Sequence, residues 1–396
     1  MSRHLLCIGR SRQMHAKAHA YGLRLSVVAE LSRVRSQRDL SMYERIVALP
    51  DTAGAAEWVA AARMVHEHDP VDAIGGFNEE TQEFAAVIAD ALGLPYHPLR
   101  TVRTVRDKHL MREALRAAGV DPTPARQVAT GEDVAAFAAE HGCPLVVKPV
   151  DGRGSVAVTV VRTAVDLPER LPEGYRMLAE GFLDGAEYSV EALSEKGRHR
   201  VVCVTQKFTD EATLVETGHC VPAPVGDELR VTVDEFMPRV LDALGVTDGP
   251  THTEVIATGG GLRVVETHLR LGGGHIVELV ELAFGIDLDT VWIRQVTGEP
   301  VMPGLVVEAS RSAAVRFVTP AAAGVLNGTH GMDEAAALPG VVTVEELQGP
   351  GAILTTPLTG LGRAACVIAT GASAAEAVER SRAAAEKLRF VVTCAG

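Results

Sequence analysis

The stretch RVVETHLRLGGGH, residues 263–275, carries the densest chemistry in the sequence. Glu266, His268 and Arg270 recur at every second position. A strand alternates its side chains, so these three point one way while Val265, Thr267 and Leu269 point the other. An acid, an imidazole and a guanidinium in one row suit the binding of a cation beside an anion. A second alternating strand, THTEVIAT at 251–258, precedes this one across Gly259-Gly260-Gly261, which is a hairpin signal. Folding about Gly260 sets Glu254 nearly opposite Glu266, and like charges across an antiparallel pair repel. A divalent cation between them relieves the repulsion, and Mg²⁺ takes one or two carboxylates together with substrate phosphates. Two solvated acids on an exposed face are the alternative.

Two further segments carry suitable groups. In LVVKPVDGRGSVAV (145–158), Lys148 closes an apolar strand and Asp151-Gly152-Arg153-Gly154-Ser155 forms a small loop. Glycines let backbone N–H groups approach phosphate oxygens, and a lysine supplies a point charge. The lysine precedes the glycines, so this is no Walker A loop; an ordinary hairpin turn is the competing reading. In LAEGFLDGAEYSVE (178–191), Glu180 ends a strand, a short connector through Phe182 and Leu183 can receive a purine edge, and Glu187 can take ribose hydroxyls. Each segment alone is unremarkable in composition.

The elements that position them alternate at first. HLLCI (4–8) and VDAIGG (71–76) read as strands, with helices running towards Gly22 and over about 79–92. Alternating strands and helices imply a parallel sheet covered on both faces, and no G-x-G-x-x-G turn marks a dinucleotide site there. DKHLMREALRAAGV (107–120) reads as a helix ending at Gly119. From 145 onwards strands dominate. After about 307, AAVRFVTP and AACVIAT read as strands before a helix opened by a Ser373–Glu376 capping box. The fold class is thus α/β, followed by α+β.

At 396 residues with 47% hydrophobic content, the chain predicts two or three domains with real cores. No apolar run approaches the roughly 18 residues of a membrane span, and MSRHLLCIGRSRQ lacks a signal-peptide core. A cytoplasmic location and no membrane partner are the expectation. A net charge of −13 argues against a nucleic-acid partner. The six cysteines have no C-x-x-C spacing, and isolated buried thiols account for them better than a metal or redox role.

Taken in order, the three segments resemble the ATP-grasp superfamily of carboxylate–amine ligases from about Asp107 to Gly274, and within it the L-amino-acid ligases (dipeptide synthetases). The resemblance implies an ATP-grasp fold. It divides into an N-terminal α/β (pre-ATP-grasp) domain over 1–104, a nucleotide-binding core over 105–306 with a lid at about 124–186, and a small α+β C-terminal domain over 307–396. It implies ATP and Mg²⁺ or Mn²⁺ as cofactors. Lys108 and Lys148 then hold phosphates, and the loop with Gly152, Gly154 and Ser155 closes over them. Glu180, Phe182 and Leu183 form the adenine hinge, and Glu187 binds ribose. Glu254 and Glu266 hold the metal, with His268 where the family's E-x-N-x-R motif has asparagine. Imidazole suits softer metals than a carbonyl oxygen does.

The segment TQKFTDEATLVETGHCVPAPV (205–225) is similar to the one lining the ligases' substrate site, which implies that Glu216 and His219 face the substrates. A core histidine beside Cys220 is the alternative for His219. Arg270 then steadies the acyl phosphate and the tetrahedral intermediate, and Gly273, Gly274 and His275 flank the amine's pocket. Glycines there leave a roomy pocket or one filled from elsewhere, unless they serve a tight turn alone. The implied reaction phosphorylates an amino acid carboxylate and joins it to an amine such as another amino acid. The partners are these small molecules, with a homodimer compatible. The rivals are another ATP-grasp branch, acting on purine intermediates or bicarbonate, and a nucleotide-binding regulator without turnover, which His268 favours.

Overall fold

The computed structural model describes residues 2–36, 39–152, 156–210, 215–320, 322–354 and 362–393. At the N-terminus, strands Tyr43–Leu49, Arg24–Glu30, His4–Ile8 and Ala73–Gly75 lie in that order in one parallel sheet. Alternate residues of its strands enter two cores. Leu5, Cys7, Leu25 and Val27 pack with helix Arg12–Ala20, while Leu6, Ile8 and Val28 pack with Ala55–His68 and Gln82–Leu92. Burial on both faces is what a parallel sheet requires. Trp292 and Ile293, from helix Leu288–Val296, complete the first core and so join this layer to the centre of the chain.

A four-stranded antiparallel sheet follows, in the order Ala125–Val128, Met177–Gly181, Leu145–Pro149 and Thr159–Val161. Helix Gly131–His141 buries Val134 and Phe137 against it. After the glycine loop the sheet resumes only at Thr159–Val161. Helix Lys108–Ala117 leads into this sheet, and the Asp107 carboxylate accepts from the free N–H groups of His109 and Leu110 at its start.

The centre is an eight-stranded antiparallel sheet. Its order is Gly261–His268, Gly249–Thr258, Gly185–Glu195, Arg198–Thr209, Glu216–Val221, Ser312–Val318, Ala365–Gly371 and Val341–Glu346. The last three strands come from beyond residue 307, so the C-terminal segment extends the central sheet through hydrogen bonds between Glu216–Val221 and Ser312–Val318. Helix Asp227–Ala243 covers one face through Val233, Met237 and Val240, and Ile276–Phe284 covers the other through Ile276, Leu279 and Val280. Helix Ala374–Ala385 is capped by Ser373 as expected, although the Glu376 carboxylate reaches the N–H of Ala372 rather than that of Ser373. Among the described residues, no helix is long and apolar enough to cross a membrane.

Candidate active site

The metal hairpin turns on Gly259-Gly260, since Thr258 pairs with Gly261. Continued regularly, that register would set Glu254 against Val265. A β-bulge between Glu254 and Val255 makes Val265 the extra residue and brings Glu254 opposite Glu266. It also corrects the expected alternation, because Val265 now lines the same cavity as Glu266, His268 and Arg270. Leu269 stays in the core, and Thr267 is buried against Thr253 with their hydroxyls 3.3 Å apart.

These groups line a cavity of ≈ 380 Å³ between the smaller antiparallel sheet and the central one. Every site residue expected from the sequence lines it, except three. Gly154 and Ser155 lie outside the described residues. His275 turns its ring instead to Glu278 and Cys366.

Lys108 Nζ is 2.7 Å from the Gly152 carbonyl and 2.8 Å from Glu266, so one ammonium ties the glycine loop to the carboxylate pair. Lys148 pairs with Glu180, whose second oxygen accepts from Arg112 Nε at 3.0 Å. Both Glu180 oxygens are thus engaged, and the N–H groups of Gly181 and Phe182 after it donate to the Pro124 and Pro144 carbonyls. Apolar Val146, Phe182, Leu183 and Ile256 surround that end. Burial favours neutral Glu180, but Lys148 and Arg112 outweigh it and hold the carboxyl below its ordinary range. Burial likewise lowers the Lys148 ammonium despite Glu180.

Lys207, which the sequence reading passed over, is the hub of the floor. Its Nζ lies 2.5 Å from Glu187, 2.7 Å from Glu254 and 3.0 Å from Glu216. Burial opposes its charge, yet the three carboxylates raise its pKa well above the ordinary lysine value. Glu187 is pushed up by burial, with Lys207 opposing. His268 has both nitrogens occupied, Nε2 at 3.0 Å from Glu266 and Nδ1 at 3.2 Å from Glu79. Burial lowers its pKa, but the two carboxylates prevail and raise it. Glu79 also accepts from Arg270 Nε at 3.0 Å, so the N-terminal layer supplies an acid to the site. Burial would raise Glu79, but His268 and Arg270 bring it down to about 2. Across the hairpin from His268, His252 Nδ1 donates to the Glu191 carboxylate at 2.7 Å. Glu191 and Glu254 overcome burial and lift His252 to about 10.

At the other end, the Glu216 carboxylate meets Lys207, His219 Nε2 at 3.5 Å and Arg363 Nη2 at 3.2 Å. Burial is outweighed there by His219 and Lys207, which hold Glu216 far below its ordinary range. His219 is not a bystander in the core: its Nδ1 is 3.0 Å from the Gly274 carbonyl. Gly274 has φ +59, and a Cβ there would lie 2.6 Å from His219 Cε1, so this position admits only glycine. His219 therefore fills the space above Gly274. Gly273 faces open space. Arg363, from the C-terminal segment, stacks 3.9 Å over Phe317 and also lines the cavity.

The donor set fits a nucleotide with a hard cation. Five carboxylates (Glu180, Glu187, Glu216, Glu254, Glu266) face five lysine and arginine cations (Lys108, Lys148, Lys207, Arg270, Arg363), and the raised His252 adds to these, so the lining carries little net charge. A polyphosphate added to such a lining needs further positive charge, and the in-register Glu254–Glu266 pair offers the oxygens that Mg²⁺ prefers.

Comparison with known proteins agrees with this geometry. Residues 166–278 match the ATP-grasp domain family, and residues 316–393 match L-amino acid ligase C-terminal domain 2. The chain thus carries an ATP-grasp domain and an L-amino acid ligase C-terminal domain. It is 32% identical over 292 residues to the uncharacterized protein y4rH of Sinorhizobium fredii, covering 70% of this chain and 60% of that one. It is 26% identical over 247 residues to the alanine–anticapsin ligase of Bacillus subtilis, covering 55% and 52%. The chain thus spans between half and two thirds of the length of these relatives. The fold of this ATP-grasp chain is also that of an L-amino acid ligase from Bacillus licheniformis, with TM-score 0.86 over 99% of both chains at 23% identity.

Proposed function

We propose that this chain uses ATP to activate the carboxylate of an amino acid and joins it to an amine, in the first instance another amino acid, giving an amide, ADP and phosphate. The observation that carries the reading is one cavity with two differently equipped groups of residues. Lys108, Lys148 and the Glu254–Glu266 pair line it together with Glu216, His219 and the Gly273-Gly274 turn, and Lys207 bridges the two groups through Glu254 and Glu216. Glu254 and Glu266 would hold Mg²⁺, which supplies charge neutralisation to the transferred phosphoryl group when bound. Lys108 and Lys148 bind and orient phosphate oxygens, and each is nine-tenths buried or more, so little water screens its charge.

A carboxylate is a poor electrophile, and an acyl phosphate is a good one. Arg270, held by Glu79, would face the negative charge that develops on the acyl oxygen. Glu216 stays ionised in its setting of Lys207, His219 and Arg363, which suits it to receive a substrate ammonium rather than to donate a proton. The relatives named as ligases support the assignment of class, and the C-terminal match favours amino acids over purine intermediates or bicarbonate.

The decisive experiment measures ADP and phosphate release from ATP with every pair of the common amino acids. Release that depends on a particular pair, with an amide product of matching mass, is expected. Stoichiometric AMP and pyrophosphate would refute the acyl-phosphate route, and nucleotide binding without amine-dependent turnover would favour a regulator.

A further inference from the structure

A second cluster of ligating side chains lies behind the glycine turn, outside the cavity. His275, directly after Gly274, precedes helix Ile276–Phe284 with φ 64. It is one of three non-glycine residues with positive φ among those described. That conformation costs an L-residue about 1–2 kcal/mol, and here it swings the imidazole over strands Val341–Glu346 and Ala365–Gly371. Glu345 and Cys366 are direct cross-strand partners there, so their side chains share a face. His275 Nε2 lies 3.4 Å from Cys366 Sγ and 3.9 Å from Glu345 Oε2. One ligand atom from each of the three falls within 4.8 Å of the others.

The other side of the imidazole is equally organised. Nδ1 is 3.1 Å from Glu278 Oε2, and the other Glu278 oxygen accepts the Thr343 hydroxyl at 3.2 Å. A carboxylate on one ring nitrogen fixes the tautomer and aims the second nitrogen outward, as at metal-bound histidines.

We infer that His275, Cys366 and Glu345 form a site for one borderline-soft divalent cation, Zn²⁺ by its chemistry. Zn–S and Zn–N bonds of about 2.3 and 2.0–2.1 Å at a tetrahedral angle put sulfur and nitrogen roughly 3.6 Å apart, and nitrogen and carboxylate oxygen roughly 3.4 Å. The pairs stand at 3.4 and 3.9 Å, and the Glu345 side chain, 50% exposed, is free to swing inward. Three protein ligands leave the fourth tetrahedral position to a water molecule. A thiolate and an imidazole disfavour Mg²⁺, so the chain separates two cations by ligand softness, with the all-oxygen Glu254–Glu266 pair elsewhere. The bound ion would pin the turn that carries Gly273 and Gly274 to the C-terminal strands. The site stands whether or not the proposed ligation is correct. A plain thiol–imidazole hydrogen bond is the competing account.

Co²⁺ tests this on the full chain without nucleotide, because a cobalt–thiolate bond gives a near-ultraviolet charge-transfer band that oxygen and nitrogen ligands alone do not. The expected result is a band saturating at one equivalent and displaced by Zn²⁺. It should be lost in Cys366→Ala, with Co²⁺ affinity at least tenfold weaker in Glu345→Gln. The second variant alters a half-exposed side chain and keeps the test decisive should Cys366→Ala not fold. No band in the unaltered protein would overturn the site and leave the hydrogen bond. A band unchanged in Cys366→Ala would overturn it too and assign the thiolate to another cysteine, with exposed Cys143 first, and Co²⁺ affinity unchanged in Glu345→Gln would overturn the three-residue site.

Discussion

Gly273 and Gly274 are neighbours that should fail in opposite ways. Gly273 lines the cavity and a Cβ on it meets nothing within 4 Å, whereas one on Gly274 strikes His219 Cε1 at 2.6 Å from a backbone with φ +59. For Gly274→Ala, the left-handed backbone costs about 1–2 kcal/mol. Displacing the His219 ring from the Gly274 carbonyl loses a hydrogen bond worth about 1 kcal/mol net. The sum is about 2–3 kcal/mol, independent of the amine. Gly273→Leu pays no such strain and only narrows the pocket. One methylene of misfit is worth about 1–3 kcal/mol in discrimination, so several excluded carbons should lower kcat/KM for a large amine by about 10²-fold or more relative to glycine. The assay is phosphate release with glycine, alanine, leucine and phenylalanine as amines, beside nucleotide affinity and thermal midpoint. Gly273→Leu should keep its midpoint and ATP affinity, and Gly274→Ala should lose stability and all substrates alike. Equal losses for glycine and phenylalanine in Gly273→Leu would refute the assignment of this turn to the amine pocket.

Other outcomes follow from the charge arrangement. Lys108→Ala and Lys148→Ala should each weaken ATP binding by tenfold or more, since each removes a buried cation from the phosphate end; near-normal nucleotide affinity in calorimetry would contradict that placement. Glu266→Gln should abolish turnover while His268→Asn keeps measurable activity, because amidation removes a metal-facing charge, whereas asparagine supplies an oxygen donor; Mg²⁺ titrations of both variants decide. Arg112→Met leaves Glu180 and Asp121 short of a buried partner and should destabilise the fold by about 3–5 kcal/mol in denaturant unfolding. His252 is raised from its ordinary 6.5 to about 10, so its contribution is full below pH 6.5 and fades as pH rises through 10. The midpoint difference between His252→Gln and the unaltered protein should therefore shrink over that window, and a constant difference would show that the imidazole acts by packing alone.

Which parts of this site were legible in the sequence follows from how far each residue's neighbours lie along the chain. Glu254, Glu266, His268 and Arg270 sit on one hairpin, where alternation and a glycine turn are local signals. Even there, the bulge that brings Glu254 opposite Glu266 leaves no trace in composition; counting from the true turn would have paired Glu254 with Val265. Lys207 ends an alternating strand much as Lys148 does, but its importance comes from Glu187, Glu216 and Glu254, which three other strands deliver to it. Glu79 meets Arg270 across 191 residues, and no period or spacing encodes that approach. Arg363 and the strand order beyond residue 312 are equally remote, and no local signal says that strands after residue 307 lengthen the central sheet.

The same distance argument explains the division of labour at Gly272-Gly273-Gly274. Read as sequence, the three glycines are equivalent. In the fold, a Cβ on Gly272 would press on the Glu191 carboxylate at 2.8 Å, one on Gly274 would press on His219, and one on Gly273 would meet only space. Two of the glycines therefore exist so that a buried His–Glu pair and a substrate-side histidine can pack against backbone. The third is the one position in the turn where a side chain could change what the cavity admits without disturbing what holds it.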